Sequence, residues 1–129
     1  MNDTIKLLKN HRSIRQFTVE PVGDEVLREI IDAAGWSATS NFVQAYTVIR
    51  VRNPQTRQQM AELAGSQTWV ENSPVFLVFC ADLKRNQAAC AYENMEMVSG
   101  YTEQFIIATV DVSLAAQNAM IAAESLGLG

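Results

Sequence analysis

The chain has 129 residues and a mass of 14.3 kDa, 48% of them hydrophobic and 19% charged, with a formal charge of −4 and a pI near 4.9. That length suits a single domain able to bury roughly two thirds of its unfolded surface, and the composition argues against intrinsic disorder. The acidic balance argues against nucleic-acid binding through a broad phosphate-neutralising face, while leaving room for a local basic pocket.

In chain order, Thr4 to Asn10 reads as a short helix whose apolar residues are Ile5, Leu7 and Leu8. It runs into the polar, basic segment His11-Arg12-Ser13-Ile14-Arg15. Gln16 to Val22 is expected to be extended, because Pro21 disfavours helix at Glu20. Gly23-Asp24-Glu25 opens a helix with Val26, Leu27, Ile30, Ile31 and Ala34 at helical spacing, Asp24 as its cap and Gly35 as its stop. Ser37 to Asn41 is a loop of small polar residues, and Tyr46 to Arg52 is a β-branched strand. Asn53-Pro54 caps a helix over Gln55 to Ala64, which Gly65 ends. Pro74 to Ala81 is continuously apolar, as in a strand buried on both faces, and Leu83 to Cys90 is a weaker helical segment.

The last element is the most apolar. Val98, Tyr101, Phe105, Ala108, Val112, Ala115, Ala119, Ala122 and Leu126 form one stripe in steps of three and four, widened by Ile107, Val110, Leu114 and Ile121. A helix apolar over so much of its circumference is buried by more than one neighbour. Its many alanines admit another helix closely, and few other elements exist to cover it, so it is a candidate subunit interface. Asp111, Gln117, Asn118 and Glu124 interrupt it, which argues against a membrane span. The chain closes on Gly127-Leu128-Gly129, where a mixed α/β chain would turn into another strand. Two strands alone make a marginal sheet, so the expectation is the N-terminal part of something longer.

Cys80 and Cys90 form neither a disulfide framework nor a zinc signature, and His11 is the single histidine. The amino end, Met1 to Asn10, has no signal-peptide core, and free thiols fit a cytoplasmic setting. The basic segment is the notable chemical feature. Arg12 and Arg15 can reach one anion, since guanidinium forks grip phosphate oxygens bidentately and Ser13 adds a hydroxyl. Taken alone, such a string is more often a solvated turn. Thr39-Ser40-Asn41 and Gln67 are likewise unremarkable singly.

Their combination is specific. H-R-S-I-R-x-F-T from His11, followed by P-x-x-x-x-x-L-R-E-I-I-x-A-A from Pro21, resembles the opening of the FMN-dependent nitroreductase family. Gln44 to Val51, Ser66-Gln67, Phe79 to Asp82 and the run from Ala115 to Gly129 extend the likeness over the whole chain. The nearest subgroup is the oxygen-insensitive NADPH nitroreductases of the major, A type. Members are longer, with a further strand, more flavin-phosphate ligands and an extension embracing the partner subunit. The resemblance therefore implies an α+β fold, a nitroreductase-like mixed sheet flanked by helices with a long central helix. Residues 1–129 would be the N-terminal part of that single domain, incomplete at the C-terminus.

The resemblance also implies roles. Arg12, helped by His11, would hold the FMN phosphate. Ser13 would reach the ribityl chain or pyrimidine edge, and Arg15 would sit by the N1–C2 edge, where Gln67 also bonds. Thr39 and Ser40 would approach the flavin from the second subunit of a homodimer, with Ser40, Asn41 and Phe42 near the substrate. The implied activity is NADPH-dependent two-electron reduction of nitroaromatics or quinones at one flavin face, with ping-pong kinetics and neither a protein nucleophile nor a metal. A non-catalytic or truncated FMN-binding dimerisation module, and a small α/β binding module with a basic pocket, are the alternatives.

Overall fold

The computed structural model describes residues 2–129, so Met1 lies outside it. Six α-helices and two strands follow in the order α1 (Asp3–Asn10), α2 (Asp24–Gly35), β1 (Tyr46–Arg50), α3 (Pro54–Leu63), α4 (Thr68–Asn72), β2 (Leu77–Ala81), α5 (Lys84–Tyr92) and α6 (Thr102–Ser125). A 3-10 turn, Ser40–Phe42, precedes β1. The architecture is α+β, and its sheet is the antiparallel pair β1–β2, running in register from Tyr46 opposite Ala81 to Arg50 opposite Leu77.

Local chemistry explains most boundaries. The Asn2 side chain accepts from the Ile5 amide and starts α1 one residue before Thr4. Asn53 does the same for α3 through the Thr56 amide, with Pro54 in the first turn. Asp24 is not the cap of α2. Gly23 holds that position without a side-chain bond, and the Asp24 carboxylate instead takes Arg50 Nη1 at 3.1 Å across to the end of β1. Asp24 and Glu25 still suit the positive end of the helix dipole.

Three expectations are corrected. β1 stops at Arg50 and β2 starts at Leu77, with one more backbone bond from the Val51 amide to the Phe76 carbonyl at 3.0 Å; before that, Arg57 draws the Val70 and Ser73 carbonyls towards α3 at 2.6–3.0 Å. β2 is only half-buried, since α6 packs on one face of the pair and no further strand joins it among the described residues. The last helix begins at Thr102, beyond Val98, where Gln104 Oε1 accepts from the Tyr101 amide at 3.4 Å.

The core sits where α2 crosses α6. Ile30 and Ala34 meet Ala115 and Ala119, and Val26, Tyr46, Phe79, Ala122, Ala123 and Leu128 close around them. The alanines permit this close approach, and α6 also touches β1, β2 and α1, so several neighbours do share it. Burial is nevertheless narrower than the stripe predicts: Tyr101 is 64% exposed and Phe105 71%. Helix α6 is long and apolar enough to cross a membrane by length and composition. It packs against α2 and the sheet along one side, with Asp111 fully buried.

Six of the ten buried residues are alanines. Leu27, Ile30 and Val70 are the only buried apolar side chains larger than alanine among the described residues. The accessible surface is 9442 Å², against about 6,800 Å² for a compact monomer of this mass. Phe105, Ile106, Val110 and Leu114 contribute an apolar face to that excess along α6. An excess of about 2,600 Å² is the scale of a core cut open or of an obligate interface.

Candidate functional site

Two groups of residues stand out, at separate places on α6. The first is the segment after α1. His11 to Arg15 is exposed throughout and held at few points. His11 Nδ1 lies 2.5 Å from Glu124 Oε1 near the end of α6. Ile14 packs so closely on Gly129 that a Cβ there would come within 2.9 Å of it. Arg12 turns back on α1, donating to the carbonyls of His11 at 2.6 Å and Lys9 at 3.4 Å. Arg12, Asn10, Ile14 and Glu124 line a hollow of about 260 Å³.

Arg15 points the other way. Its guanidinium carbon lies 5.9 Å from the centroid of the Trp69 ring, a cation–π contact. Trp69 belongs to α4, and Gln67 is that helix's N-cap residue, with its side chain making no capping bond. Helix α4 escapes sequence reasoning because five residues are too few to display a period. It is nonetheless the element that carries Trp69 to Arg15 and has Gln67 at its N-cap.

The second group is the loop from Thr39 to Ala45. Asp111, completely buried, accepts from the Ser40 amide through Oδ1 at 3.1 Å and from the Ala45 amide through Oδ2 at 3.0 Å. From the other side, Asn86 Nδ2 and Arg85 Nη2 of α5 donate to the carbonyls of Val43 and Gln44, each at 2.8 Å. Between these ties Asn41, Phe42 and Gln44 adopt φ of 47°, 57° and 50°. Left-handed backbone costs a non-glycine residue on the order of 1 kcal/mol. The loop leaves Phe42 81% exposed and Asn41 exposed. Thr39 is half-buried, and its Oγ1 is a buried atom without a hydrogen-bond partner among the described residues.

Asp111 and Glu124 are thirteen residues apart on one helix, about 20 Å. Their attached groups, Ser40 to Phe42 and His11 to Arg15, thus lie at different levels of α6 within one chain. The sequence carried one sign of Asp111: it is the only charged residue between Glu103 and Glu124 in an apolar helix. Arg85, Asn86 and Trp69 gave no comparable sign. A larger groove of about 760 Å³, lined by Leu27, Arg28, Ile31, Trp36, Arg50 and Arg52, includes none of the site residues expected from sequence.

Asp82 follows β2 and joins strand to helix. Its carboxylate accepts from Thr47 Oγ1 at 2.6 Å and from the Lys84 amide at 2.9 Å. Those two bonds, chiefly the one from Thr47, hold its pKa below the ordinary 3.8.

The profile described as "Nitroreductase family" matches residues 8–129, which takes in both groups. The chain belongs to the nitroreductase family. The FMN reductase (NADPH) of Bacillus subtilis strain 168 is 45% identical over 132 residues, spanning all of this chain and 53% of that protein. The oxygen-insensitive NADPH nitroreductase of Salmonella typhimurium is 42% identical over 129 residues, with 100% and 52% covered. The solved structure of B. megaterium NfrA1 superimposes with a TM-score of 0.96 at 42% identity, covering 99% of this chain and 53% of that one. The chain spans about half the length of these relatives.

In a nitroreductase the donor set found here suits a flavin nucleotide. Arg12 and Arg15 are guanidiniums able to make charge-assisted bonds to an anionic ligand. The unengaged amide of Gln67 and the partnerless hydroxyl of Thr39 are polar groups whose hydrogen-bonding capacity a ligand can take up.

Proposed function

We propose that this chain is the N-terminal frame of a single nitroreductase-like domain in an FMN-dependent NADPH oxidoreductase, which reduces nitroaromatics or quinones by two electrons. The observation that carries this reading is the stacking of Arg15 on Trp69 of α4, two residues beyond Gln67 in sequence. The names of the relatives, an FMN reductase and a nitroreductase that use NADPH, supply the reaction class.

The chemistry supplied by bound FMN is electron-pair transfer from NADPH to an acceptor. The chain's own residues bind and polarise. Arg12, now on the carbonyls of Lys9 and His11, would hold the phosphate, with His11 beside it on Glu124, and Ser13 would reach the ribityl chain or pyrimidine edge. Arg15 would supply a fixed positive charge at the pyrimidine edge, which favours negative charge on a reduced flavin, and Gln67 would bond the same edge. One face serving NADPH and acceptor in turn gives ping-pong kinetics.

The protein works as a homodimer in the cytoplasm. The exposed apolar face of α6 and the excess surface support the dimer, and the free thiols Cys80 and Cys90 suit a reducing compartment. Because Ser40 to Phe42 lie about 20 Å along α6 from His11, Thr39 and Ser40 meet the flavin held by the second copy. Ser40, Asn41 and Phe42 then flank the acceptor. A second reading, a non-catalytic or truncated FMN-binding dimerisation module, draws on the thin alanine core and the half-length match.

The test is direct. FMN added to the purified chain is expected to bind with quenched fluorescence, raise the melting temperature and be bleached by NADPH, with colour restored by nitrofurazone or menadione. Binding without bleaching selects the second reading. A melting curve that FMN leaves unmoved, in a chain that sediments as a monomer at micromolar concentration, overturns both.

A further inference from the structure

We infer that Asp111 is a positioning residue that sets how the chain presents Asn41 and Phe42 to the acceptor, acting through the Ser40 and Ala45 amides. The site it serves rests on the flavin reading above; the holding of the loop does not.

The argument starts from burial. A carboxylate wholly removed from water is tolerated only when its lone pairs are used, and Asp111 uses both oxygens on backbone amides at the two ends of one short loop. Those amides span Ser40 to Ala45, so a single rigid side chain sets the loop's end-to-end distance. Three of the four residues between them are left-handed without being glycine, a conformation that local preference opposes and outside ties must hold. The ties come from two elements: Asp111 on α6 takes the amides, while Arg85 and Asn86 on α5 take the carbonyls of Gln44 and Val43. The product of this restraint is an aromatic ring held in solvent at 81% exposure. A core-building device would bury Phe42. One that strains the backbone to expose it is presenting the ring to something outside the chain.

The experiment compares wild type with Asp111→Asn and, independently, Asn86→Ala. Asparagine keeps the shape but replaces one acceptor oxygen with an NH₂ that faces an amide donor. Asn86→Ala removes a tie from the half-exposed α5 side without touching the buried carboxylate. Amide exchange at Ala45 is expected to speed up about tenfold in Asp111→Asn. KM for menadione is expected to rise about tenfold in both variants, as small misplacements of a positioning group do. FMN affinity is expected to fall by less than KM rises, because the His11–Arg15 grip is left in place and the loop reaches the flavin only through Thr39 and Ser40.

Faster exchange with unchanged KM in both variants overturns the proposal and leaves Asp111 a purely structural residue. Unchanged exchange at Ala45 overturns it as well. If Asp111→Asn does not fold, Asn86→Ala decides by its KM. Should wild type bind no FMN, the flavin reading fails, and the exchange measurement still decides whether Asp111 holds the loop.

Discussion

The segment from His11 to Arg15 and the loop from Thr39 to Ala45 are both polar, both near an end of a helix, and both proposed to serve the same site. They are built in opposite ways. The first is exposed along its whole length and touches the body at His11, Ile14 and Arg15, with Arg12 bonded to carbonyls of its own neighbourhood. The second is tied from α6 and α5 at four backbone groups and carries strain that no ligand is needed to maintain. A grip can close on its anion at the moment of binding, because charge-assisted bonds repay the ordering of a few side chains. In the role proposed for it, orienting an uncharged, flat acceptor, the loop would have no such bonds to draw on, which fits a geometry set in advance.

The sharpest way to break this contrast is at the buried carboxylate. Asp111→Ala strands two amides inside the protein and is expected to cost on the order of 2–4 kcal/mol, read from urea unfolding. A denaturation midpoint equal to wild type would show that the loop needs no such tie. Next comes the grip itself. Losing a charged hydrogen bond is worth roughly 1.5–3 kcal/mol, so Arg12→Ala should weaken FMN binding at least tenfold. Arg15→Ala should instead slow reduction of the bound flavin more than it lowers affinity, measured by anaerobic stopped flow. Negligible effects of both changes on both quantities would place the cofactor elsewhere.

A smaller effect is expected where the grip meets α6. The His11–Glu124 pair is partly screened, with side-chain exposures of 42% and 17%, so Glu124→Ala should cost only about 0.5–1 kcal/mol in a thermal melt. Glu124→Gln, which keeps an acceptor, should lose less. Smallest is the acid response of Asp82, at the joint of β2 and α5. Its folded pKa lies below 3.8, so its contribution is fully present above the unfolded value and disappears as pH falls through the folded one. The stability gap between wild type and Asp82→Asn should therefore narrow between pH 5 and pH 2. A gap constant over that range contradicts the assignment of Thr47 and Lys84 as its partners.

Short-range chemistry was readable from the residues alone. Asn53-Pro54 announces α3, the 3.6-residue recurrence of Leu27, Ile30 and Ala34 announces the inner face of α2, and Tyr46 to Arg50 is β-branched enough to declare a strand. The family itself was legible, since its signature is a pattern of neighbours such as His11 to Arg15. Tertiary structure decided what depends on residues far apart. Asp24 could cap locally but is drawn to Arg50. The apolar run at β2 predicted burial on both faces, yet a two-stranded pair has one face to give to α6. The bonds that strap the loop join residues 41 to 71 positions apart. Periodicity and capping act within a turn or two of the chain and so are written in its order. A buried charge finds its partners, and an apolar stripe its cover, only after the chain has folded back on itself.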